Sequence, residues 1–507
     1  MGTSVVRNLI GVLALIILSF LIGITAADNA KSAVMVIVAI AGIIGIIALG
    51  KNVWMGLFIL IPIGQAAPLH ERFPVYYVFA ALILIYWCVL FFLGHARFIW
   101  RKLWIADLLA SLFFIYMAFT FFRFPASNTA FDILFDINNE YVSVIEYPLC
   151  ISALILYITY SCIPVNNSQF LKVAKWGAII ELVSLFLVAI HNTQHSLSLY
   201  HTATGEFTRL VGISRFAEHL CVFAFASNAH GRLFTFSKPI YIILSFAMAL
   251  LSGFRKHALY LVYLCAWISI LKKEYATLLI VFFAAVLSLV FINSSGILDQ
   301  LPHTLQRSLS VIPGMNVQES IKQNGKGSNE WRVKLWKWAL DSRTHIINNY
   351  VTGEGFHNNA KEAARIYRLT NRGRVAQGDL ALTVKKRFWH SGLISTLQEL
   401  GMVGVSLTLL FYTYAFIKVL SIGSAIRKTP YFKYFVLFTF PYMYSFIRFY
   451  FQSASTAYFL VDMTHMGFLK VFYTFAVENG DITPHKKQRY TPLLIQQESA
   501  EKLQRAV

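Results

Sequence analysis

Long charge-free apolar runs alternate with short charged connections along most of the chain, and one polar stretch from Asn293 to Trp389 interrupts them. Gly11–Ala27, Ser32–Gly50, Val75–Gly94, Leu149–Val165 and Tyr275–Ile292 each match the roughly 17–25 residues that a helix needs to cross a bilayer. The pattern predicts spans at 9–27, 33–50, 53–67, 75–94, 105–122, 147–165, 174–191, 215–229, 238–253, 257–271, 275–292, 391–417, 433–449 and 455–476. The predicted fold class is all-α: a polytopic integral membrane protein of about 14 transmembrane helices, with one long loop that contains amphipathic helices. The third, eighth, ninth and tenth spans are short enough for one of them to be re-entrant.

Charge placement orients these spans. Arg7 precedes the first run, which is long for a cleaved signal and is expected to stay as a helix. The loops on the Arg7 side carry Lys51, Arg97, Arg101, Lys102, Lys172, Lys175, Arg232, Lys238, Lys272, Lys273, Arg427 and Lys428, and the tail adds Lys486, Lys487 and Arg489. The opposite loops hold Asp28, Glu71, Asp132, Asp136 and Glu140. Short cytoplasmic loops collect lysine and arginine, so both termini are expected inside and the long loop outside.

Composition agrees, with 57% hydrophobic and 13% charged residues. The net charge of +20 reads as membrane orientation and attraction to anionic lipids rather than nucleic-acid binding. The five cysteines, Cys88, Cys150, Cys162, Cys221 and Cys265, lie in or at the ends of apolar runs and form no Cys-x-x-Cys pair. They read as small core residues, and neither a disulfide nor a metal site is expected. No phosphate-binding glycine motif is present, so no nucleotide or other cofactor is expected.

The long loop is basic, with 15 Lys or Arg against 7 Asp or Glu. That excess suits an anionic ligand, a diphosphate or an acidic glycan, or a solvated face beside anionic lipid. Within it Asn329–Asn348 predicts an amphipathic helix along the headgroup region, with Trp331, Leu335 and Trp338 on one face. Gly325–Gly327 predicts a flexible lead-in, and Ala360–Lys386 is polar and patternless.

Few residues here are able to carry chemistry. Arg255 lies between two apolar runs in Ser252–Gly253–Phe254–Arg255–Lys256–His257. A mid-membrane arginine costs about 2.5–3.5 kcal/mol on insertion scales, so it belongs at an edge or in a cavity. Its planar fork suits phosphate oxygens. Arg332 opens the amphipathic helix beside Lys334, and His390 starts the twelfth span as a candidate proton acceptor. Arg209 and Arg215 bracket Gly212 before the eighth span. Glu181, Glu218 and His219 fall inside spans, where they act either as functional groups or as buried hydrogen-bonded pairs.

Four ordered segments resemble the O-antigen ligase and polymerase family of bacterial envelope glycosyltransferases. They are Arg209–Gly212; Ser252–Arg255; Trp331–Trp336 followed by Thr352–Gly353–Glu354–Gly355–Phe356; and His390 with Glu399–Leu400–Gly401–Met402–Val403–Gly404. Ser391 departs from the asparagine that often follows the histidine, and the loop is long. The resemblance implies an N-terminal transmembrane bundle over 1–204 and a ligase or polymerase core over 205–420 that includes the periplasmic loop 293–390. C-terminal helices over 421–476 and a cytoplasmic tail over 477–507 complete the implied organisation.

It also implies a polyprenyl-diphosphate-linked glycan as donor, a lipid or glycan as acceptor, and an inverting transfer without metal or nucleotide. The implied place is the periplasmic face of the bacterial inner membrane. On these terms Arg255 and Arg332 hold the diphosphate and His390 takes the acceptor proton. Arg209, Arg215, His257 and Lys334 are the accompanying substrate contacts. A glycolipid flippase or other transporter, with Glu181 and Glu218 relaying protons, is the competing reading.

Overall fold

The computed structural model describes residues 43–58, 75–125, 146–200, 211–227, 232–252, 255–301, 305–306, 309–310, 312, 314–342, 346–356, 389, 391–451 and 456–482. Every longer regular element among them is a helix. The helices are α1 (Val75–Phe92), α2 (Trp104–Arg123), α3 (Glu146–Cys162), α4 (Asn167–Tyr200), α5 (Val211–Ala226), α6 (Arg232–Leu251) and α7 (Arg255–Lys272). There follow α8 (Tyr275–Ser294), α9 (Glu319–Leu340), α10 (Gly392–Ile426), α11 (Phe432–Thr439), α12 (Pro441–Phe451) and α13 (Thr456–Glu478). A 3-10 turn, Gly50–Asn52, sits between short helical stretches at 43–49 and 54–58. The predicted first span, 9–27, lies outside the described residues.

Three of these helices are long and apolar enough to cross a membrane: α2, Asn167–Ile190 of α4, and α10. Large apolar side chains such as Ile115, Phe122, Ile243, Leu287 and Phe291 stay exposed on the outer faces, as lipid-facing positions must.

Side-chain contacts fix the direction of each helix. α5 and α7 run parallel, with Glu218 in the middle of α5 meeting His257 near the start of α7, and Lys272 donating to the Phe225 carbonyl (3.3 Å) near the ends of both. α12 ends where α10 begins, because Ser391 Oγ donates to the Tyr450 carbonyl (2.8 Å). One end of the bundle therefore carries residues 297–356 and the starts of α7 and α10. The other, the basic end, carries the turns around Arg101, Lys273 and Arg427.

The core between them is aromatic. Phe58 meets Phe170 and Phe468 edge-on, and Phe438 stacks on Phe468 at 4.8 Å. Such pairs add about 0.5–1.5 kcal/mol each beyond area burial. Gly467 lies under the Tyr160 ring, where a Cβ would come within 2.3 Å of a ring carbon. This lets α3 and α13 approach closely, the membrane use of small residues.

Toward the basic end a charge pair ties three helices together. Lys470 Nζ of α13 donates to Asp107 Oδ1 of α2 (2.5 Å) and to Ser161 Oγ of α3 (2.7 Å). Tyr157 donates to the same carboxylate oxygen (2.5 Å), and the Leu103 amide donates to the other (2.8 Å). Arg101, also buried, donates to the carbonyls of Tyr160 and Ile163 (2.7 and 2.6 Å).

Several expected boundaries shift. α4 runs to Tyr200 rather than 191, and the predicted span 433–449 is two helices, α11 and α12, meeting at Phe440. The amphipathic helix is α9, which starts ten residues before the expected Asn329 and ends at Leu340. Gly325–Gly327 is helical rather than a lead-in. Two glycines cost about 1 kcal/mol each in a helix, and Glu319 in the first turn offsets part of this against the helix dipole. The apolar face of α9 packs on protein rather than lying bare toward lipid. Leu335 and Ala339 bury with Ile346, Ile347, Trp389, Ile394 and Leu397.

The predicted span 391–417 is a broken helix. Gly401 has φ 64° and ψ −168° inside α10, which strands backbone groups on both sides of the break. Among the described residues one loop and one tyrosine supply the bonds to them. The Glu354 and Gly355 amides donate to the carbonyls of Gln398 and Glu399 (2.8 and 2.9 Å), while Met402 and Val403 donate to the carbonyls of Tyr350 and Val351 (2.8 and 3.3 Å). The Tyr116 hydroxyl lies 2.8 Å from the Leu400 carbonyl and 2.9 Å from that of Thr352. Unsatisfied backbone in a membrane costs several kcal/mol per group, so the break and the loop exist only together.

Gly401→Ala places a Cβ 2.3 Å from the Val351 carbonyl oxygen, and Gly353→Ala places one 2.4 Å from that of Glu399, both at positive φ. Each is expected to cost on the order of 2–4 kcal/mol. Gly296→Ala, at φ 70° with nothing within 4 Å, costs only the backbone strain of about 1 kcal/mol. Thermal unfolding of the three variants in detergent ranks them, and equal melting temperatures contradict the interlock. Lys470→Met leaves Asp107 without its cation and is expected to lower stability by about 3 kcal/mol, read in the same melt.

Candidate functional site

At the end of the bundle that carries the start of α7, two of the cations that the sequence singled out, Arg215 and Arg332, come within electrostatic reach of Lys256. Arg255 is the first residue of α7. Lys256, next to it, lies within electrostatic reach of Arg215 on α5, Arg332 on α9, Arg448 on α12 and the carboxylate of Glu218. Four elements distant in sequence thus bring positive charge to one place. Arg332 is partly buried on the first turn of the apolar stretch of α9, and this desolvation pulls its guanidinium below the ordinary arginine value. Lys334 stands exposed on α9.

His257 is placed by a carboxylate. Its Nδ1 hydrogen-bonds Glu218 Oε1, and Glu218 is buried. One residue along α5, His219 Nε2 faces Glu181 Oε1 of α4 at 3.2 Å, while its Nδ1 meets the Arg215 carbonyl at 2.8 Å. A carbonyl only accepts, so His219 Nδ1 carries a proton. The Nε2–carboxylate contact then holds one further proton, on either the ring or Glu181. Glu181 and Glu218 are therefore both hydrogen-bonded in carboxylate–histidine pairs, and among the described residues Glu181 Oε2 has no hydrogen-bond partner. The pairs tie α4, α5 and α7 together beneath the cation group.

His390 and Arg209 lie outside the described residues, as does 357–388, which contains the polar Ala360–Lys386 segment. The chain neighbours of His390 are described, and both are fastened. Trp389 is buried, its indole Nε1 donates to Gln398 Oε1 (2.8 Å), and its carbonyl accepts from Trp336 Nε1 of α9 (2.8 Å). Gln398 in turn donates to the Ile346 carbonyl (3.2 Å). Ser391 donates to the Tyr450 carbonyl at the end of α12, a structural tie between elements. Trp336 is one helical turn beyond Arg332, so the helix that carries the arginine is also the one bonded to the residue before His390.

Two polar groups were not singled out from the sequence. Arg448 of α12 forms an ion pair with Asp462 of α13, whose other carboxylate oxygen accepts from the Tyr412 hydroxyl of α10 (2.8 Å). Tyr442 donates to the Asp462 backbone carbonyl. The available signal was a single arginine and a single aspartate inside two apolar runs, each a functional candidate by default.

The arrangement suits an anion brought to a membrane edge, with a fastened chain segment beside it. No curated protein matches the chain. A match to a family model covers residues 240–409, from within α6 through the first half of α10, and so includes Arg255, Arg332, the 350–355 loop and the Gly401 break. Over that stretch the chain carries a domain of the O-antigen ligase family.

Proposed function

We propose that this protein is a glycosyltransferase that moves a glycan from a polyprenyl-diphosphate carrier to a lipid or glycan acceptor at the periplasmic face of the bacterial inner membrane. Membrane glycan transfer of the O-antigen ligase type follows from the family domain. The donor, the inverting course and the side of the membrane are the further reading. One observation carries it: Lys256, Arg215 and Arg332 converge at the bundle end where Trp336 is bonded to the residue before His390.

The positive-inside pattern puts that end outside, with about 14 spans and both termini in the cytoplasm. Residues 205–420 form the working core. Like charges held together at the edge of a low-dielectric medium repel one another unless an anion compensates them. A diphosphate at the head of a lipid is such an anion, and its tail has the surrounding bilayer to lie in.

The chemistry needs few groups. The acceptor oxygen attacks the anomeric carbon from the face opposite the diphosphate, and the carbon–oxygen bond to the diphosphate breaks. The leaving diphosphate takes the bonding electron pair, and the acceptor proton passes to His390. Arg255 and Arg332 stabilise the charge that develops on the leaving phosphate. Arg209, Arg215 and His257 serve as contacts to phosphate or sugar. Lys334, exposed on α9, takes part only with a substrate large enough to reach it.

His390→Ala is expected to lower transfer by about 10²–10⁴-fold, and Arg255→Ala or Arg332→Ala by about 10²–10³-fold, with melting temperatures near native. The assay is transfer from a purified polyprenyl-diphosphate glycan without nucleotide or metal. Full activity of His390→Ala and Arg255→Ala removes the assignment. Donor crossing a vesicle bilayer with no new glycosidic bond points to a transporter instead. Trp336→Phe removes the donor to the Trp389 carbonyl, a bond worth about 1 kcal/mol. It is expected to lower kcat about tenfold through misplacement of 389–391, read in the same assay.

A further inference from the structure

Asp462 is almost wholly buried, and both of its carboxylate oxygens are engaged, one by Arg448 and one by the Tyr412 hydroxyl. Arg448 is the open member of the pair. Its side chain keeps 22% exposure, and among the described residues its single hydrogen bond goes to Asp462, with the Tyr444 ring face 5.6 Å away. A guanidinium carries five N–H donors, so most of its capacity remains for something else. Burying an ion pair in an apolar bundle is weak evidence for stability, because well-packed apolar residues often do as well.

The position of Arg448 supplies a reason for it. It acts electrostatically on Lys256, as do Arg215 and Arg332. Two residues further on, the Tyr450 carbonyl accepts from Ser391, and the Phe449 ring lies against Gly392. Arg448 is therefore within electrostatic reach of Lys256, on the helix whose end is bonded to the residue after His390.

We propose that Arg448 is a further binding residue for the diphosphate of the lipid-linked donor, and that Asp462 is its positioning residue. The inference rests on the transfer reading given above. Asp462 fixes one edge of the guanidinium, Tyr412 fixes Asp462, and the remaining fork meets phosphate oxygens in the planar geometry that arginine offers and lysine does not.

The test uses the full-length protein in detergent, with glycan-free polyprenyl diphosphate as the binding probe and donor and acceptor KM from the transfer assay. Arg448→Gln is expected to weaken diphosphate binding and raise donor KM at least tenfold, with acceptor KM unchanged. Arg448→Lys keeps a charge for Asp462 and so the fold, and is expected to weaken binding several-fold. Asp462→Asn is expected to raise donor KM more than it lowers kcat, a split that general loosening of the bundle does not produce. Arg448→Met combined with Asp462→Leu removes both charges while filling their volume, so it keeps the fold if the pair is only structural.

Native-like diphosphate binding by that folded double variant, or by Arg448→Lys together with Arg448→Gln, overturns the inference. Loss of transfer in His390→Ala and Arg255→Ala alongside such native-like binding sinks this inference alone. Retained transfer in those two variants sinks the reading beneath it.

Discussion

Backbone hydrogen-bond satisfaction in a medium without water is the constraint on which this structure turns. A helix that breaks inside a bundle must find new partners for its freed amides and carbonyls. At Gly401 the partners are residues 350–355 and the Tyr116 hydroxyl. The loop gains its own order from the same bonds, because Gly353 and Gly355 take positive φ to bring their backbone against Glu399 and Phe124. Asn349 Oδ1 caps the turn by accepting from the Val351 and Thr352 amides (3.1 and 3.0 Å). Once the loop is seated, Ile346 and Ile347 complete the apolar patch that receives α9. The seating of α9 sets where Arg332 and Trp336 stand, and hence the tie to Trp389. The Gly-Glu-Gly-Phe and Glu-Leu-Gly segments, separate in sequence, are two halves of one joint.

Much of this was legible in the chain. Lipid demands unbroken apolar runs, and that is a one-dimensional signal. The run Tyr275–Ile292 became the helix Tyr275–Ser294, and Arg255 was already visible at the boundary of two runs. The helical face of Trp331, Leu335 and Trp338 was legible for the same reason, since periodicity needs only neighbours three or four residues apart. The break at Gly401 was not. Nothing in a continuous apolar run distinguishes a glycine that packs from one that must adopt positive φ, because the demand comes from a loop about 50 residues away. The first half of α9 was hidden for a different reason: Glu319–Glu330 has no apolar stripe and contains two glycines, so local propensity pointed elsewhere.

The site was legible only as a set of residue types. Arg255, Arg332 and Arg215 were named from sequence, and the structure gives Lys256, Arg215 and Arg332 a common neighbourhood. Lys334, named by adjacency to Arg332 in sequence, stands exposed on the same helix. Arg448 and Asp462 were passed over because each looked solitary, and their partnership crosses two helices. The carboxylates Glu181 and Glu218 lie inside helices, as their apolar surroundings suggest, but only the fold shows that each faces a histidine. Those pairs give a reason for two acids in the bundle that does not require ion passage, since each carboxyl group and its imidazole satisfy one another where neither is stable alone.

Two ion pairs within the same bundle separate structural from functional charge. Lys470 has no exposed side-chain surface, and its donors are spent on Asp107 and Ser161. Its ammonium also lies 4.5 Å from the Tyr157 ring. That arrangement joins α2, α3 and α13 with its cation sealed, and only the Asp107 carboxylate keeps part of its surface exposed. Arg448 and Asp462 have the opposite polarity. The acid is sealed and saturated, and the base keeps part of its side-chain surface exposed within electrostatic reach of Lys256. A pair selected only to join helices gains nothing from facing its cation at Lys256, because like charges raise its cost. The orientation makes physical sense when a further negative group completes the charge balance.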